Sequence, residues 1–221
     1  PITAVCEIPE VIIDPSDELN FEKVYIRAET IKTIKLINTS NSLNAQFQIL
    51  PQDETSKTWG ILTCQTDSGK IGPEETYYLN VCLMPNKLGP FRLKLEILCK
   101  TKNNLGNTTT VNIKAHSIGP TIKLEKSLEE LDFGSIHVLN TRKDKISLVN
   151  DNPIDATYTA FMKNVPNIYS IVNKSGIIPK KSMIDLEILC RPDEAMRFAE
   201  LLYIKIDEAD DIKITLKCRG E

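Results

Sequence analysis

The chain has 221 residues, of which 41% are hydrophobic, and its 27 basic and 30 acidic side chains give a net charge of −3. This length fits one large domain or two of about 100 residues each, and the hydrophobic fraction is that of an ordinary globular protein. The lack of a basic excess argues against nucleic acid as a partner, and no apolar run approaches the ~18 residues that would insert into a membrane.

Alternating apolar and polar residues predict strands along the whole chain. In chain order the clearest runs are 45–49, 77–83, 91–97, 184–188 and 212–217. Clusters of turn residues separate them, at 38–44, 66–72, 102–107, 150–153 and 208–211. No stretch of 12 or more residues has a convincing helical period. About seven short strands in each half indicate antiparallel β-sandwiches.

The second half of the chain repeats the first. Leu19–Val24 aligns with Leu131–Ile136, Leu36–Asn38 with Leu148–Asn150, and Ser68–Pro73 with Lys174–Pro179. A period of roughly 105–112 residues is the length of a small domain and is too long for a solenoid turn. We therefore expect two domains, residues 1–119 and 120–221.

A short joint is expected between the two domains. The predicted strand 111–115 ends just before Ser117–Pro120, and the next strand starts at Thr121. Gly119 lets the chain turn and Pro120 stiffens it, so the interdomain joint at Gly119 and Pro120 should allow a limited range of angles. Residues 1–8 align with the end of the first domain, which indicates a linker or the tail of a preceding module. The chain also begins with Pro1 rather than Met, so we expect two consecutive modules of a longer protein.

The repeated motifs have structural roles. Phe21 and Phe133 are expected in the sandwich core, and Asn38 and Asn150 are expected to cap a turn through their side-chain amides. Pro85 and Pro192 are expected to close strands where no further backbone donor is needed.

The order of these motifs resembles the major sperm protein-like, or PapD-like, immunoglobulin fold, and more closely its ASH branch (ASPM, SPD-2, Hydin). In the ASH pattern, L-x-F-G-x-V is followed by a strand that ends L-x-N. The matching positions are Leu19, Phe21, Val24, Leu36 and Asn38, and then Leu131, Phe133, Gly134, Ile136, Leu148 and Asn150. Glu22 departs from the usual Gly. The resemblance covers nearly the whole chain and implies an all-β fold of two tandem seven-stranded immunoglobulin-like sandwiches.

No group of residues indicates catalysis, so we predict that the chain is not an enzyme and needs no cofactor or metal. His116 and His137 are isolated, and no glycine-rich phosphate loop is present. The six cysteines (Cys6, Cys64, Cys82, Cys99, Cys190 and Cys218) include no C-x-x-C pair and indicate free thiols in a reducing, cytoplasmic compartment.

Two features are candidate partner contacts. Trp59 has no counterpart in the second half; an exposed Trp would be a binding anchor, although a packed Trp is commoner. The acidic run Asp207, Glu208, Asp210 and Asp211 lacks the ligand spacing of an EF-hand and is expected to be a solvated hairpin tip.

The resemblance implies a non-catalytic structural and protein-interaction module of a larger scaffold. Hydin-like proteins place it in the cytoskeleton, in the central apparatus of ciliary or flagellar axonemes, with the basal body or centrosome as another site. Its partners would be cytoskeletal, axonemal or microtubule-associated proteins and neighbouring modules of its own chain.

Two alternatives remain. One is a VAP-like peptide-binding adaptor at membrane contact sites, but the strand 45–51 lacks the Lys or Arg that acidic FFAT peptides require. The other is a secreted or periplasmic sandwich, an adhesin or a pilus-type chaperone, which unpaired cysteines disfavour.

Overall fold

The computed structural model describes residues 10–100, 106–126, 129–163 and 168–221. The chain divides into two compact units, Pro1–Ile118 and Gly119–Glu221, called unit 1 and unit 2 below. This division lies one residue before the boundary expected from the sequence. The expectation for residues 1–8 falls outside the described residues, as does most of the turn expected at 102–107.

The described part of unit 1 contains nine strands and one short helix. They are β1 (Val11–Asp14), β2 (Glu18–Tyr25), β3 (Thr30–Asn38), β4 (Ala45–Ile49), α1 (Glu54–Lys57), β5 (Gly60–Cys64), β6 (Ser68–Ile71), β7 (Thr76–Pro85), β8 (Gly89–Lys100) and β9 (Gly106–Ile118).

Unit 2 contains nine strands among its described residues. They are β10 (Ile122–Leu124), β11 (Glu130–Ile136), β12 (Arg142–Asn150), β13 (Ala156–Met162), β14 (Tyr169–Ile171), β15 (Ser175–Ile178), β16 (Ser182–Cys190), β17 (Arg197–Ile206) and β18 (Ile212–Gly220).

Each unit is a sandwich of one four-stranded and one five-stranded sheet. The orders in unit 1 are β1-β3-β7-β5 and β2-β9-β8-β4-β6, and those in unit 2 are β10-β12-β16-β14 and β11-β18-β17-β13-β15. The two topologies are the same, with one parallel pair each, β2 with β9 and β11 with β18. The all-β immunoglobulin-like class is confirmed, but each unit has nine strands among its described residues rather than seven. A strand of three residues such as β14 is too short to show an alternation in the sequence.

Each unit has its own apolar core between its two sheets. Phe21 and Phe133 are buried in these cores, as expected from the motif. Ile34 and Leu36 on β3 correspond to Ile146 and Leu148 on β12, and all four are fully buried. The repeat in the sequence is therefore a repeat of core positions.

A buried asparagine ties the two sheets of unit 1 together. Asn38, the last residue of β3, is 0% exposed. Its Nδ2 donates to the carbonyl oxygens of Leu43 at 2.8 Å, Ile71 at 3.2 Å and Gly72 at 2.9 Å, and its Oδ1 accepts from the Ser40 N–H at 3.1 Å. Because Ile71 ends β6 in the other sheet, the amide both caps a turn, as predicted, and bridges the sandwich.

Asn150 makes the same tie in unit 2. Its Nδ2 donates to the carbonyl oxygens of Ile154 and Ile178, both at 2.9 Å, and its Oδ1 accepts from the Asn152 N–H at 3.0 Å. Ile178 ends β15 in the five-stranded sheet, whereas Asn150 ends β12 in the four-stranded sheet. Both motifs therefore place one amide at the same end of each sandwich.

The edge strand of each five-stranded sheet carries a bulge at the motif's glycine position. The pairing of β2 with β9 shifts between Asn20 and Glu22, and that of β11 with β18 shifts between Asp132 and Ser135. Glu22 has φ +58° and Gly134 has φ +68°, a region that glycine adopts without strain. The usual Gly of the pattern is therefore explained by the backbone, and Glu22 holds the same conformation at a cost.

We expect Asn38→Ala to destabilise unit 1 by roughly 2–4 kcal/mol, because it leaves buried carbonyl groups without a donor. Trp59 is the one tryptophan of the chain, so its fluorescence during urea unfolding reports on unit 1. Asn150→Ala is the matched control. It should leave the Trp59 transition unchanged while lowering the stability of unit 2 measured by circular dichroism. Equal Trp59 midpoints for the wild type and Asn38→Ala would contradict the tie.

At the bulge, Gly134→Ala should destabilise unit 2 by about 1 kcal/mol, and Glu22→Gly should raise the stability of unit 1 by up to about the same amount. An ideal Cβ on Gly134 would meet Arg142 Nη1 at an ordinary 3.6 Å, so the cost comes from φ rather than from a clash. Urea unfolding measures both. Glu22→Ala separates the backbone effect from loss of the carboxylate, since stabilisation by Ala equal to that by Gly would refute the backbone explanation.

Candidate protein-interaction surfaces

Trp59 follows a one-turn helix that a capping side chain starts. Asp53 is the N-cap of α1, and its Oδ1 accepts from the Ser56 N–H at 2.8 Å. The helix has Thr58 as its C-cap, and Trp59 follows directly. The Trp59 N–H donates to the Ser56 carbonyl at 3.0 Å, and the Trp59 carbonyl accepts from the Asn86 N–H at 2.8 Å. The backbone of this tryptophan is therefore fixed from both sides.

The indole ring of Trp59 is partly packed and partly open. Its ring lies 6.3 Å from that of Phe91, at 23°, and Lys87 Nζ sits 5.1 Å from the ring centroid. The residue is nevertheless 38% exposed. The sequence favoured a packed tryptophan, whereas the structure shows a supported ring with an accessible part, an arrangement suited to a partner contact.

The acidic run lies at a hairpin tip, as the sequence predicts. It joins β17 to β18, and Asp207, Asp210 and Asp211 are exposed. The Asp207 N–H donates to the Thr157 carbonyl at 3.0 Å, and Glu208 has φ +60°. Within the described ranges, no three His, Cys, Asp or Glu side chains are grouped so that they could hold a metal ion.

Gly119 packs directly against this tip. An ideal Cβ on Gly119 would lie 1.8 Å from the Glu208 carbonyl oxygen, so no other residue fits there without movement. Pro120 is buried. Within unit 2, then, Gly119 is required by close approach of two backbones, a reason that the turn-based argument from the sequence did not include.

The two histidines belong to different units: His116 is exposed in unit 1 and His137 is exposed in unit 2. No helix in the described part of the chain is long and apolar enough to cross a membrane.

The described thiols are free. A raised pKa makes a thiol a poor nucleophile, and this applies to four of them. Burial, with smaller effects from Asp67 and Cys82, raises the pKa of the Cys64 thiol to about 11. Burial also raises the pKa of Cys82, Cys99 and Cys190.

Three neighbouring strands in the five-stranded sheet of unit 2 carry a basic outer surface, which the sequence analysis missed, whereas the edge strand β11 beside them presents Glu130 and Asp132. We call the outward positions of β13, β17 and β18 the basic face. Five of these side chains are basic and none is acidic; they are Thr157, Thr159, Phe161, Arg197, Ala199, Leu201, Tyr203, Lys205, Lys213, Thr215, Lys217 and Arg219. Of the five, only Lys217 has an ion-pair partner within the described ranges, Glu130 at the sheet edge.

An aromatic pair lies at the centre of the basic face. The rings of Phe161 and Tyr203, paired across β13 and β17, stack 5.5 Å apart at 11°. Lys163 Nζ lies 4.5 Å and Lys213 Nζ 5.9 Å from the Tyr203 ring centroid. Phe161 is 38% exposed, so this platform is open to solvent.

The matching positions of unit 1 lack this chemistry. By strand register, Glu96 stands where unit 2 has Tyr203, Leu50 where it has Phe161, and Thr110 where it has Lys213. The unit 1 surface does carry Arg92, Lys94 and Lys114, but Arg92 and Lys114 share Glu18 as an ionic partner at 3.7 and 3.8 Å. Of the two repeats, unit 2 alone combines the basic side chains with an aromatic pair at these positions.

The outer surfaces of the four-stranded sheets also differ, and here unit 1 has the apolar surface and unit 2 the charged one. The outer surface of unit 1 presents Ile12, Ile31 and Tyr78, of which Ile31 and Tyr78 are each 61% exposed. The same surface of unit 2 carries two ion pairs between β12 and β16, Lys143 with Glu187 at 2.7 Å and Lys145 with Asp185 at 2.6 Å. The hydrogen bond from Lys145 lowers the pKa of the Asp185 carboxyl. Each repeat therefore exposes a different kind of surface.

Comparison with known proteins agrees with the fold. Residues 120–219 match the family model of the HYDIN/CFA65/VesB-like, Ig-like domain. The human Hydrocephalus-inducing protein homolog is 22% identical over 219 residues, which are 99% of this chain and 4% of that protein. The chain therefore spans a small part of the length of this relative.

Two solved structures are also similar. The ASH / PapD-like domain of human CEP192 (PapD-like domain 7) has a TM-score of 0.39 at 11% identity, over 45% of this chain and 84% of that one. WR4, an MSP family member of C. elegans, has a TM-score of 0.37 at 13% identity, over 48% of this chain and 96% of that one.

The shared topology and the family match thus define two tandem immunoglobulin-like sandwiches, as the motif order indicated. Within the chain, the match to the HYDIN/CFA65/VesB-like, Ig-like domain model lies in unit 2.

The raised pKa of Cys64 predicts slow alkylation. At pH 8, a pKa near 11 leaves roughly 100-fold less thiolate than the ordinary value of 9.0. Iodoacetamide labelling followed by peptide mass spectrometry should show native Cys64 still gaining nearly tenfold in rate between pH 9 and pH 10. In urea, where the thiol is exposed, the rate should level off over that interval. Similar levelling in the native chain would contradict a raised pKa.

Proposed function

We propose that the chain is a non-catalytic structural and protein-interaction segment of a larger, Hydin-like scaffold in the axoneme of cilia or flagella. The central apparatus is the first expected site, and the basal body or centrosome is the second. The observation that carries this proposal is the match of 99% of the chain, both units together, to 4% of the human Hydrocephalus-inducing protein homolog. Two adjoining modules inside a far longer relative fit an array better than a self-contained protein.

The surfaces support an interaction role. The two units share one topology, yet unit 1 exposes apolar side chains on its four-stranded sheet and unit 2 exposes a basic face. Folding alone does not call for the two units to have different outer surfaces. Different surfaces are useful when each unit binds a different neighbour. Gly119 and Pro120 would form the joint between them.

In unit 1, Trp59 is the proposed anchor residue that a partner protein would cover. Its ring is held by Phe91, so little side-chain freedom is lost when a partner covers the exposed part. The acidic tip of Asp207, Glu208, Asp210 and Asp211 is a second proposed contact, for a basic partner segment. The partners are expected to be cytoskeletal, axonemal or microtubule-associated proteins in the cytoplasm, together with neighbouring modules.

Co-sedimentation with demembranated axonemes tests the proposal. We expect saturable binding that Trp59→Ser weakens by roughly 30-fold or more, because a buried anchor Trp contributes about 2 kcal/mol or more. Leu139→Ser is the matched control, since Leu139 is an exposed apolar residue of unit 2, and it should bind as the wild type does.

A chain that stays in the supernatant at every axoneme concentration would refute the proposed function. The VAP-like alternative is separated by titrating an FFAT peptide. The outward residues of β4, Gln46 and Gln48, are uncharged, so we expect no tight binding. Tight FFAT binding without axoneme binding would favour the adaptor instead.

A further inference from the structure

We propose that the basic face of unit 2 binds a short, extended, acidic segment of a partner protein that also carries an aromatic or large apolar side chain. This inference rests on the proposed function, because it names the partner chemistry of one interaction surface. It concerns β13, β17 and β18 of unit 2, whereas Trp59 belongs to unit 1.

Charge segregation is the first argument. Residues 120–221 contain 15 basic and 17 acidic side chains, so unit 2 is slightly acidic. Even so, the outward positions of β13, β17 and β18 hold five basic side chains and no acidic one. Arg197, Lys205, Lys213 and Arg219 have no acidic partner within ion-pair distance in the described ranges. Such a cluster produces a local positive potential that attracts and orients an anionic ligand.

The spacing of the charges fits an extended polypeptide. Lys213, Thr215, Lys217 and Arg219 alternate along β18, and their side chains recur on one face about every 6.8 Å. Carboxylates at alternate positions of an extended peptide recur at the same interval. An acidic segment lying along β18 would therefore meet Lys213 and Lys217 and reach the Arg197–Arg219 pair, which face each other across β17 and β18.

The surface has two distinct ends and an apolar centre. The acidic tip at the β17–β18 turn repels carboxylates, so the acidic part of the ligand is directed toward Arg197 and Arg219. An open cleft of about 530 Å³ lies at that end, and the charged side chains that line it are both arginines, Lys217 and a single carboxylate, Asp132 of β11. The stacked rings of Phe161 and Tyr203 offer a flat platform for the ligand's aromatic side chain, and the lysines at 4.5 and 5.9 Å already polarise the Tyr203 ring.

A peptide fits this surface better than a nucleic acid does. Aromatic and basic residues together also suit a single-stranded nucleic acid. A polyphosphate chain that extends past the face, however, meets the carboxylates that border it, those of β11 and of the acidic tip, whereas a short peptide interacts with the basic face alone. Unit 1 supplies an internal comparison, because Glu96 occupies the position of Tyr203 and would repel the same ligand.

The test is fluorescence anisotropy with a fluorescein-labelled ten-residue glutamate peptide that contains one tyrosine, at low salt. We expect saturable binding to the whole chain, weakened at least tenfold by the double variant Lys213→Glu and Arg219→Glu. The matched control is Lys70→Glu with Lys180→Glu, two exposed lysines off the basic face, which gives the same change in net charge and should weaken binding less than twofold. Phe161→Ala should weaken binding several-fold, and thermal unfolding should show that all variants remain folded.

Three outcomes would overturn the inference. Equal losses in the test and control variants would mean that overall charge alone governs binding. Tighter binding of labelled dT10, or of vesicles containing phosphatidylserine, would assign the face to another class of ligand. No peptide binding at all would also refute it. If the chain still pelleted with axonemes in that case, the proposed function would stand without this inference. Peptide binding without pelleting would instead refute the proposed function and leave the peptide-binding surface standing.

Discussion

The buried amide that joins the two sheets is the constraint on which each sandwich depends. Asn38 and Asn150 end the central strands β3 and β12, and each donates to the last carbonyl of a strand in the opposite sheet. The acceptors belong to Ile71 and Ile178, whose side chains are themselves fully buried. The L-x-N motif therefore supplies the donor. The pattern Ser-Gly-x-Ile, at Ser68–Ile71 and Ser175–Ile178, supplies both the acceptor carbonyl and a buried apolar side chain. Losing the amide donor or the carbonyl acceptor would leave the other group buried without a hydrogen bond, a cost in stability that apolar packing does not offset.

Backbone conformations repeat around this tie even where side chains do not. Arg27 and Leu139 are matching residues with φ +56° and +69°, and their N–H groups donate to the carbonyls of Pro85 and Pro192, each at 2.8 Å. Pro85 is the last residue of β7 and Pro192 follows the end of β16 by two residues, so neither position needs a backbone donor to continue a strand. Glu74 and Lys181 likewise share φ +56° and +54° at the turns that follow Ile71 and Ile178. The repeat thus preserves turns that glycine would adopt more easily, so the geometry is imposed by the surrounding pairing.

Local patterns predicted the fold well because they record which side of a strand is buried. The alternation from Phe91 to Ile97 describes β8, and the Asn at the end of L-x-N indicated a capped turn. The interaction surfaces could not be predicted in this way. Lys213 and Lys217 alternate visibly along β18, but Arg197 and Phe161 join them only through the pairing of β18 with β17 and of β17 with β13. That pairing links residues far apart in sequence, and no periodicity within one strand reveals it.

The unequal cost of inward and outward substitutions explains why the two copies keep one fold and expose different surfaces. Replacing a large core side chain such as Leu36 or Leu148 costs several kcal/mol, about 2–5 for truncation to Ala, whereas outward changes usually stay within about 0.5 kcal/mol. Positions such as Glu96 and Tyr203, equivalent in register and outward-facing, can therefore differ in charge and shape without endangering the sandwich. A repeated domain is then a stable carrier on which each copy acquires its own contact chemistry. The number of distinct partners that such a chain can hold grows with the number of its outer faces, because the shared core constrains none of them.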